Sequence, residues 1–248
     1  MDHEAISLVT GGAAGICLEV ALRLSETNQT VVVVDKDEAA LEALRQRGIT
    51  NIVTIRCDVE NEDQVASLFA DLATRHLLPT VLVNGVGGDA RKIPFAELNS
   101  GYLQASLQQN LFTAFRMCQH ALPHMTAAGY GRIVNFASVA GRTYTLFSNA
   151  AYVCAKSAVM GLTKQLAYEV AGQGITVNAV AHGPIATQRI QDAWALKSPQ
   201  EQQSILDQIP QGRLGSISEA AAAVVHFCSS ESGYATGTTL DINGGLFI

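Results

Sequence analysis

Seven short apolar runs, separated by segments with helical periodicity, constrain this 248-residue chain more than any other feature. The runs are rich in β-branched residues and mostly unbroken rather than alternating, as in strands that are buried on both faces. They cover residues 6–9, 31–34, 52–55, 81–83, 133–136, 177–181 and 239–242. Helical patterns lie between them at residues 15–26, 38–46, 62–75, 103–121, 151–171 and 218–228. This alternation predicts a doubly wound α/β fold with a single, mainly seven-stranded parallel sheet flanked by helices.

The chain shows no linker, low-complexity tract or internal repeat, and we therefore expect one domain over residues 1–248. Residues 188–210 are polar and helical in pattern and lie between the last two predicted strands. They are expected to form a lid over the carboxyl edge of the sheet. A surface helical insert without a gating role is the alternative.

Composition excludes several classes of function. The formal net charge of −6 offers no electrostatic footprint for nucleic acid or for an anionic membrane surface. No apolar stretch approaches the roughly 18–20 residues that span a bilayer, and the N-terminus lacks the features of a signal peptide. Five dispersed cysteines without C-x-x-C spacing favour buried thiols over a metal site or disulfides. We therefore expect a cytoplasmic protein without metal.

A glycine-rich turn follows the first predicted strand at residues 10–17. Gly11 and Gly15 allow a tight turn and close approach to a pyrophosphate, and Ile16 opens a helix whose free N–H groups favour an anion. Asp35 closes the second strand, where a carboxylate can bind the adenosine ribose hydroxyls and repels a 2′-phosphate. This favours NAD over NADP, although Lys36 could offset the repulsion. A helix N-cap role for Asp35, with Glu38 in a capping box, is compatible with the ligand role.

Two further strands end in residues that should reach the same crevice. Asp58 and Val59 follow the third strand, and Asn84 closes the fourth. Ligands of doubly wound sheets lie outside the carboxyl ends of the strands, which makes these residues candidates for cofactor binding. A plain N-cap for Asp58 and a plain turn residue for Asn84 remain alternatives.

A candidate proton-transfer set lies at residues 138–156. Tyr152 and Lys156 are four residues apart on a predicted helix and so share one face. A neighbouring ammonium favours the phenolate, which would make the tyrosine a usable general base near neutral pH. Ser138 follows the fifth strand and could hold the substrate oxygen.

Together these features resemble the short-chain dehydrogenase/reductase family, over essentially the whole chain. The matching segments are Thr10-Gly11-x-x-x-Gly15-Ile16, Asp58-Val59, Asn110, Ser138, Tyr152-x-x-x-Lys156 and Gly183-Pro184-Ile185-Ala186-Thr187. The resemblance implies a Rossmann fold and hydride transfer between NAD(H) and a secondary alcohol or ketone.

The family's residue roles carry over by position. The resemblance implies Tyr152 as acid/base, Ser138 as the residue that orients the substrate oxygen, and Lys156 as the residue that lowers the tyrosine pKa and binds the nicotinamide ribose. Asn110 would hold a water of a proton relay. Further roles are implied for Asp58 and Val59 at the adenine, Asn84 at the adenosine side, and Ile185 and Thr187 at the nicotinamide carboxamide.

The chain departs from the family pattern in four ways. Cys17 replaces a third glycine, Gly85 and Val86 replace Asn and Ala, and the Ser138–Tyr152 interval is one residue longer than usual. His182 stands where the family has proline. We hypothesise that His182 faces the substrate or nicotinamide end of the cleft; a solvated loop histidine is the alternative.

Substrate identity does not follow from the sequence. The loops expected to rim the pocket contain Gly88, with Arg91 and Lys92 nearby, and, farther along, Arg142, Tyr144, Leu146, Phe147 and Trp194. They combine apolar surface with cations that could receive an anion, although solvated arginines are more common. The alternatives to a small secondary alcohol or ketone are a 3-oxoacyl thioester and a non-catalytic NAD-binding regulator.

The resemblance further implies a homotetramer in which the helices at residues 103–121 and 151–171 pair between subunits. The apolar C-terminal residues Leu246, Phe247 and Ile248 would suit a second interface, or could cover their own core.

Overall fold

The sheet has seven strands, all parallel, in the order β3-β2-β1-β4-β5-β6-β7. The structure is a computed structural model that describes residues 5–27, 30–145 and 147–248. The strands are β1 (Ile6–Thr10), β2 (Thr30–Asp35), β3 (Ile52–Arg56), β4 (Val81–Asn84), β5 (Gly131–Ser138), β6 (Ile175–His182) and β7 (Thr239–Ile242). The predicted doubly wound α/β fold is confirmed.

Helices cover both faces of this sheet. They are α1 (Gly15–Glu26), α2 (Glu38–Arg45), α3 (Glu62–Thr74), α4 (Ser100–Leu107), α5 (Thr113–Ala128), α6 (Val139–Arg142), α7 (Ala150–Val170), α8 (Gln188–Ala195), α9 (Pro199–Leu206) and α10 (Ile217–Cys228). One apolar core lies between the sheet and α3, α5 and α7, and the other between the sheet and α1, α2 and α10. The unbroken apolar strands are explained by this double covering, since both faces of β2 and β6 are buried.

The helix predicted over residues 103–121 is interrupted. A π-helical turn, Gln108–Phe112, separates α4 from α5. Its buried member Asn110 donates to the carbonyl oxygens of Ser106 and Gly88 and accepts from the backbone N–H of Gly88. The side chain thus ties the widened turn to the loop after β4, a tertiary contact that helical periodicity does not contain.

The order of the strands reverses between β1 and β4: β2 and β3 are added on one side of β1, and β4 to β7 on the other. Thr10 pairs with Asn84 at the carboxyl ends of these strands. The Thr10 hydroxyl donates to the carbonyl of Val83 at 3.3 Å and accepts from the N–H of Gly85 at 3.0 Å, which closes the floor of the crevice between them. Ligands of open α/β sheets bind at this reversal point.

In the described part of the chain, no helix has the length and apolar character required to cross a membrane.

Candidate active site

The glycine-rich turn forms a backbone cradle at the start of α1. Gly11 and Gly15 have φ angles of +63° and +58°, a region that glycine tolerates without strain. A Cβ on Gly12 would lie 2.9 Å from the carbonyl oxygen of Val9, and thus the backbone is packed too closely for a side chain. No side chain caps the N-terminus of α1 at Ala14, which leaves its N–H groups available to an anion. These features fit the pyrophosphate of a dinucleotide.

A cavity of about 230 Å³ lies beside this cradle, at the carboxyl ends of β1–β4. Four of the predicted cofactor residues line it. The lining consists of Gly11, Val34, Asp35, Lys36, Cys57, Asp58, Val59, Glu60, Gly85, Val86, Gly87 and Gln109. The cavity has the apolar walls and the polar rim that an adenosine moiety needs.

Asp35 lies at the rim of this cavity, at the end of β2. Its carboxylate accepts from the N–H groups of Ala13 and Asp37 at 3.2 and 3.1 Å. The predicted N-cap alternative for Asp35 is wrong, because α2 is capped by Asp37, whose side chain accepts from the N–H of Ala40. Lys36 lies within 3.5 Å of Glu60 and is thus partly neutralised. Of the carboxylates that line the cavity, that of Asp35 is held by two backbone N–H groups, and it best fits the role of a ligand for ribose hydroxyls.

Asp58 and Asn84 occupy different environments. Asp58 lines the cavity, and the N-cap of α3 is Asn61 instead, which excludes the plain N-cap alternative for Asp58. Asn84 is the last residue of β4 rather than a turn residue. Its amide donates to Asn135 at 2.9 Å inside the sheet, and Gly85, not Asn84, lines the cavity.

Tyr152 and Ser138 converge where β5 meets α7. Asn149 caps α7 by accepting from the N–H of Tyr152 at 3.0 Å, which fixes the register of the tyrosine at the helix start. Ser138 ends β5 and accepts from the N–H of Ala140 at 3.2 Å. Burial raises the pKa of Tyr152, whereas its hydrogen bond with Ser138 and the charge of Arg189 lower it.

Lys156 lies one helical turn beyond Tyr152, with its Nζ atom 5.8 Å from the centre of the tyrosine ring. The ammonium donates to the carbonyl of Phe136 at 2.7 Å. Burial, together with the charge of Arg189, lowers the pKa of Lys156 to about 8. A Cβ on Gly87 would lie 2.9 Å from this Nζ and 2.7 Å from Oδ1 of Asn110, so that both side chains converge on Gly87.

The sequence predicts that the Lys156 ammonium lowers the tyrosine pKa. In the structure, burial dominates and raises this pKa, and the cation that lowers it is Arg189. The physical reason is the position of the ammonium, which is drawn to the Phe136 carbonyl.

Ile185 and Thr187 follow β6, and Thr187 approaches the glycine-rich turn. The Thr187 methyl carbon lies 3.8 Å from the position of a Cβ on Gly15. Ile185 is buried and bridges to Gly215. Thr187 is therefore positioned beside the pyrophosphate cradle, between it and the start of α8.

His182 is the last residue of β6 and is only 7% exposed. The alternative of a solvated loop histidine is therefore wrong. Its ring packs against Phe136 with centroids 4.9 Å apart, and Nε2 lies 3.4 Å from the carbonyl oxygen of Ala220 in α10. Burial lowers the pKa of His182 to about 4, and thus the ring is neutral near pH 7. These contacts belong to the core on the α10 side.

The candidate substrate residues differ in how far they are buried. Gly88 is buried and hydrogen-bonded to Asn110, whereas Tyr144 is 78% exposed. Phe147 and Trp194 are half-buried in the loop before α7 and in α8. Leu146 lies outside the described residues.

Two of the three expected anion receivers are already paired, and the third, Lys92, is exposed. Arg142 forms an ion pair with Asp241 at 3.0 Å and lies over the ring of Phe247. Arg91 is bound by Asp89 at 2.5 Å. Both charges are therefore balanced within the chain.

Sequence reasoning missed Arg189, in the first turn of α8. Its Nη1 atom lies 3.3 Å from the position of a Cβ on Gly88, and its charge affects the pKa of both Tyr152 and Lys156. A signal was present in the sequence, since a cation near a helix N-terminus opposes the helix dipole.

Comparison with known proteins agrees with this geometry. A family model described as enoyl-(acyl carrier protein) reductase matches residues 11–247. The chain belongs to the short-chain dehydrogenase/reductase family.

Similar proteins of this family include a 2,3-dihydroxy-2,3-dihydro-p-cumate dehydrogenase from Pseudomonas putida, 36% identical over 97% of this chain and 93% of that protein. A 3-oxoacyl-[acyl-carrier-protein] reductase from Haemophilus influenzae is 33% identical over 98% of each chain. The crystal structure of a 3-oxoacyl-[acyl-carrier protein] reductase from Brucella melitensis superposes with a TM-score of 0.88 at 32% identity, covering 99% of this chain and 92% of that one. This short-chain dehydrogenase/reductase is therefore an oxidoreductase acting on CH–OH or keto groups with a nicotinamide cofactor.

Two departures of this short-chain dehydrogenase/reductase from the family pattern are in contact. A Cβ on Gly85 would overlap the Sγ atom of Cys17 and would lie 2.8 Å from the carbonyl oxygen of Thr10. Cys17 is buried in the first turn of α1 and thus fills the space that a side chain at position 85 would need. The thiol and the glycine compensate each other.

We expect Gly85→Ala to lower the free energy of unfolding by about 1–3 kcal/mol, because it overpacks this contact. Cys17→Ala in the same chain should recover part of the loss by removing Sγ, and the residual loss reflects the Thr10 carbonyl. Denaturant unfolding of the two single variants and the double variant measures the coupling. Gly172→Ala, which meets no atom within 4 Å, is the control. Strict additivity would contradict the compensation.

The charge of Arg189 leads to a prediction about pH. Oxidation of an alcohol requires a deprotonated phenol, and activity should therefore rise with pH through the ionisation of the Tyr152–Lys156 pair. Arg189→Gln removes a charge that lowers the pKa of both groups, which moves this limb to higher pH. The pH dependence of kcat/KM, which reports the free enzyme, measures the shift. Arg47→Gln, which removes an exposed cation after α2, should leave the profile in place; an unmoved profile in the Arg189 variant would contradict the prediction.

Proposed function

We propose that this protein oxidises a secondary alcohol to a ketone, or catalyses the reverse reaction, with NAD as its cofactor and Tyr152 as the acid/base. The observation that carries the proposal is the half-buried Tyr152, whose phenol interacts with Ser138 and lies one turn from the buried Lys156. A tyrosine with a specific polar partner and two nearby cations is the arrangement expected of a proton-transfer group.

The side chains have distinct roles in the oxidation. Ser138 holds the substrate hydroxyl oxygen, and the phenolate oxygen of Tyr152 accepts the hydroxyl proton. Nicotinamide, when bound, supplies the acceptor for the hydride. Lys156, whose pKa of about 8 permits proton exchange near neutral pH, passes the proton from Tyr152 toward solvent. Asn110 converges with it on Gly87 and orients a water there. In reduction, the proton moves in the opposite direction.

The cofactor residues follow from the cradle and the cavity. Gly11, Gly15 and Ile16 surround the pyrophosphate at the N-terminus of α1. Asp58 and Val59 hold the adenine within the cavity, with Asn84 supporting the adenosine side through Gly85. The nicotinamide carboxamide is assigned to Ile185 and Thr187.

NAD is proposed rather than NADP because Asp35 presents a carboxylate at the ribose end of the cavity. Lys36 and Arg56 flank a neighbouring depression with Asp58 and are the residues that would favour a 2′-phosphate. The carboxylate of Asp35 is held by two backbone N–H groups, whereas Lys36 is 62% exposed. The fixed group should dominate.

Replacing Asp35 with Ala tests this preference. We expect kcat/KM with NAD to fall about tenfold or more and the value with NADP to rise, since the ribose acceptor and the repulsion are both lost. Initial rates with both cofactors give the ratio, and Asp37→Ala controls for removal of a nearby carboxylate. A wild-type enzyme that already prefers NADP would contradict the proposal.

The segment 188–210 is proposed as a lid, since α8 brings Arg189 against the loop after β4 while α9 extends beyond it. Of the candidate substrate residues, Gly88, Phe147 and Trp194 are proposed to shape the pocket beneath it. Tyr144, Arg142 and His182 are weaker candidates, since Tyr144 is largely exposed, Arg142 is paired with Asp241 and His182 packs against Phe136.

A cytoplasmic homotetramer is also proposed. Apolar and aromatic side chains remain exposed on the helices expected to pair between subunits, namely Leu103, Phe112, Phe115 and Tyr168. At the C-terminus, Ile248 is exposed and is available for the second interface. Exposed apolar patches of this kind mark interaction sites.

Reduction of a 3-oxoacyl thioester is the second candidate, and the relative from Haemophilus influenzae supports it. Acetoacetyl-coenzyme A and a set of small secondary alcohols, compared by the absorbance of reduced nicotinamide, separate the two. Tight NAD binding without turnover of either would favour the non-catalytic regulator.

Tyr152→Phe tests the acid/base role. We expect kcat to fall by at least about 10²-fold, because the phenylalanine can neither accept nor donate the proton. NAD affinity, measured by titration calorimetry, should stay within a few-fold of the parent. Exposed Tyr234→Phe is the matched control. Turnover equal to that of the parent protein would rule out the proposed mechanism.

A further inference from the structure

Arg189 extends from α8 to the loop after β4, where its Nη1 atom approaches Gly88. The buried Gly88 that it approaches is fixed by two hydrogen bonds with Asn110. Because Gly88 has no side chain, the guanidinium can lie against the backbone there. Arg189 is thus held at the side of the cleft where Tyr152 and Lys156 are found.

Arg189 is exposed at the start of α8. Within the described ranges, no carboxylate forms an ion pair with it, and the first turn of α8 contains no acidic residue. Its position in that turn opposes the helix dipole, and it faces a second cation, Lys156. The only carboxylate of α8, Asp192, accepts from Gln188. An exposed guanidinium that no carboxylate of the described chain engages keeps its hydrogen-bond donors available to an anion from solution.

We propose that Arg189 determines substrate specificity by binding a carboxylate of the alcohol or ketone substrate while the reacting carbon lies at Tyr152. A guanidinium and a carboxylate form two parallel hydrogen bonds, which fix orientation as well as charge. This inference rests on the proposed function and adds the chemical class of the substrate, a secondary hydroxycarboxylate or the corresponding oxocarboxylate.

The cofactor pyrophosphate is the other anion that could reach this region. The structure favours the substrate, because the pyrophosphate cradle is formed by Gly11, Gly15 and the N-terminus of α1, and the residue of the post-β6 segment beside it is Thr187. Arg189 lies instead against Gly88, on the side of Asn110 and Lys156.

Matched substrates test the proposal with the complete chain and NAD. We would compare secondary hydroxycarboxylates, such as 3-hydroxybutanoate and cis-3-hydroxycyclohexanecarboxylate, with their methyl esters, which are identical at the reacting carbon. The wild type should favour the acids in kcat/KM by about tenfold or more. Because Arg189→Gln also moves the pH limb, the readout is the acid-to-ester ratio of kcat/KM at each pH. This ratio should fall toward one through the KM of the acids, while NAD affinity stays unchanged. Arg189→Lys should recover part of the preference for the acids, and Arg47→Gln should behave as the wild type.

Equal use of acid and ester by the wild type, or a preference that survives in Arg189→Gln, would overturn the proposal. Loss of NAD affinity with equal effects on acid and ester would assign Arg189 to the pyrophosphate and would overturn it as well.

Binding of benzoate and benzamide to the enzyme–NADH complex, measured by calorimetry, separates this inference from the proposed function. If no alcohol or ketone is turned over, the proposed function fails. Benzoate binding that exceeds benzamide binding and is lost in Arg189→Gln would still support the anion site. Equal benzoate binding to both proteins would exclude it.

Discussion

The reversal of strand order between β1 and β4 is the constraint on which the site depends. Because every strand is parallel, the carboxyl ends of β1, β4, β5 and β6 meet at one edge, and Thr10 pairs with Asn84 where the order turns. That edge receives the glycine-rich turn, the loop with Gly87 and Gly88, and the start of α7. The site residues are far apart in sequence, and only this register brings them together.

Burial has opposite consequences for the two central groups. It raises the pKa of Tyr152 and lowers that of Lys156, and thus it disfavours the phenolate and the ammonium alike. The Phe136 carbonyl offsets part of this for Lys156, and Ser138 does so for Tyr152. Burial therefore shifts both groups toward their neutral forms, and the polar contacts limit the cost of placing ionisable groups there.

The strands and most helices could be predicted because each has a local signal: unbroken apolar runs for the strands, caps and periodicity for the helices. The π-turn at Asn110 could not, since it depends on hydrogen bonds to Gly88, a residue distant in sequence. For the same reason, the sequence does not predict which charged residues pair with each other. The sequence makes Arg142 a candidate anion receptor, but in the structure its charge is neutralised by Asp241, which lies 99 residues away in the chain. Sequence shows which charges exist, but partners are set by the fold.

The same reasoning explains why Arg189 and the pair formed by Cys17 and Gly85 are informative. Packing rules are satisfied at Gly85 only because Cys17 fills the adjacent space, so that two departures from the family pattern are one physical feature. No comparable compensation exists for Arg189 within the described chain, where the dipole of α8 and Lys156 both oppose its charge. A departure with a compensating contact belongs to the fold. The exposed guanidinium of Arg189 has no such contact, and its donors stay available to an anion, which is why we connect Arg189 with the chemistry of the cleft.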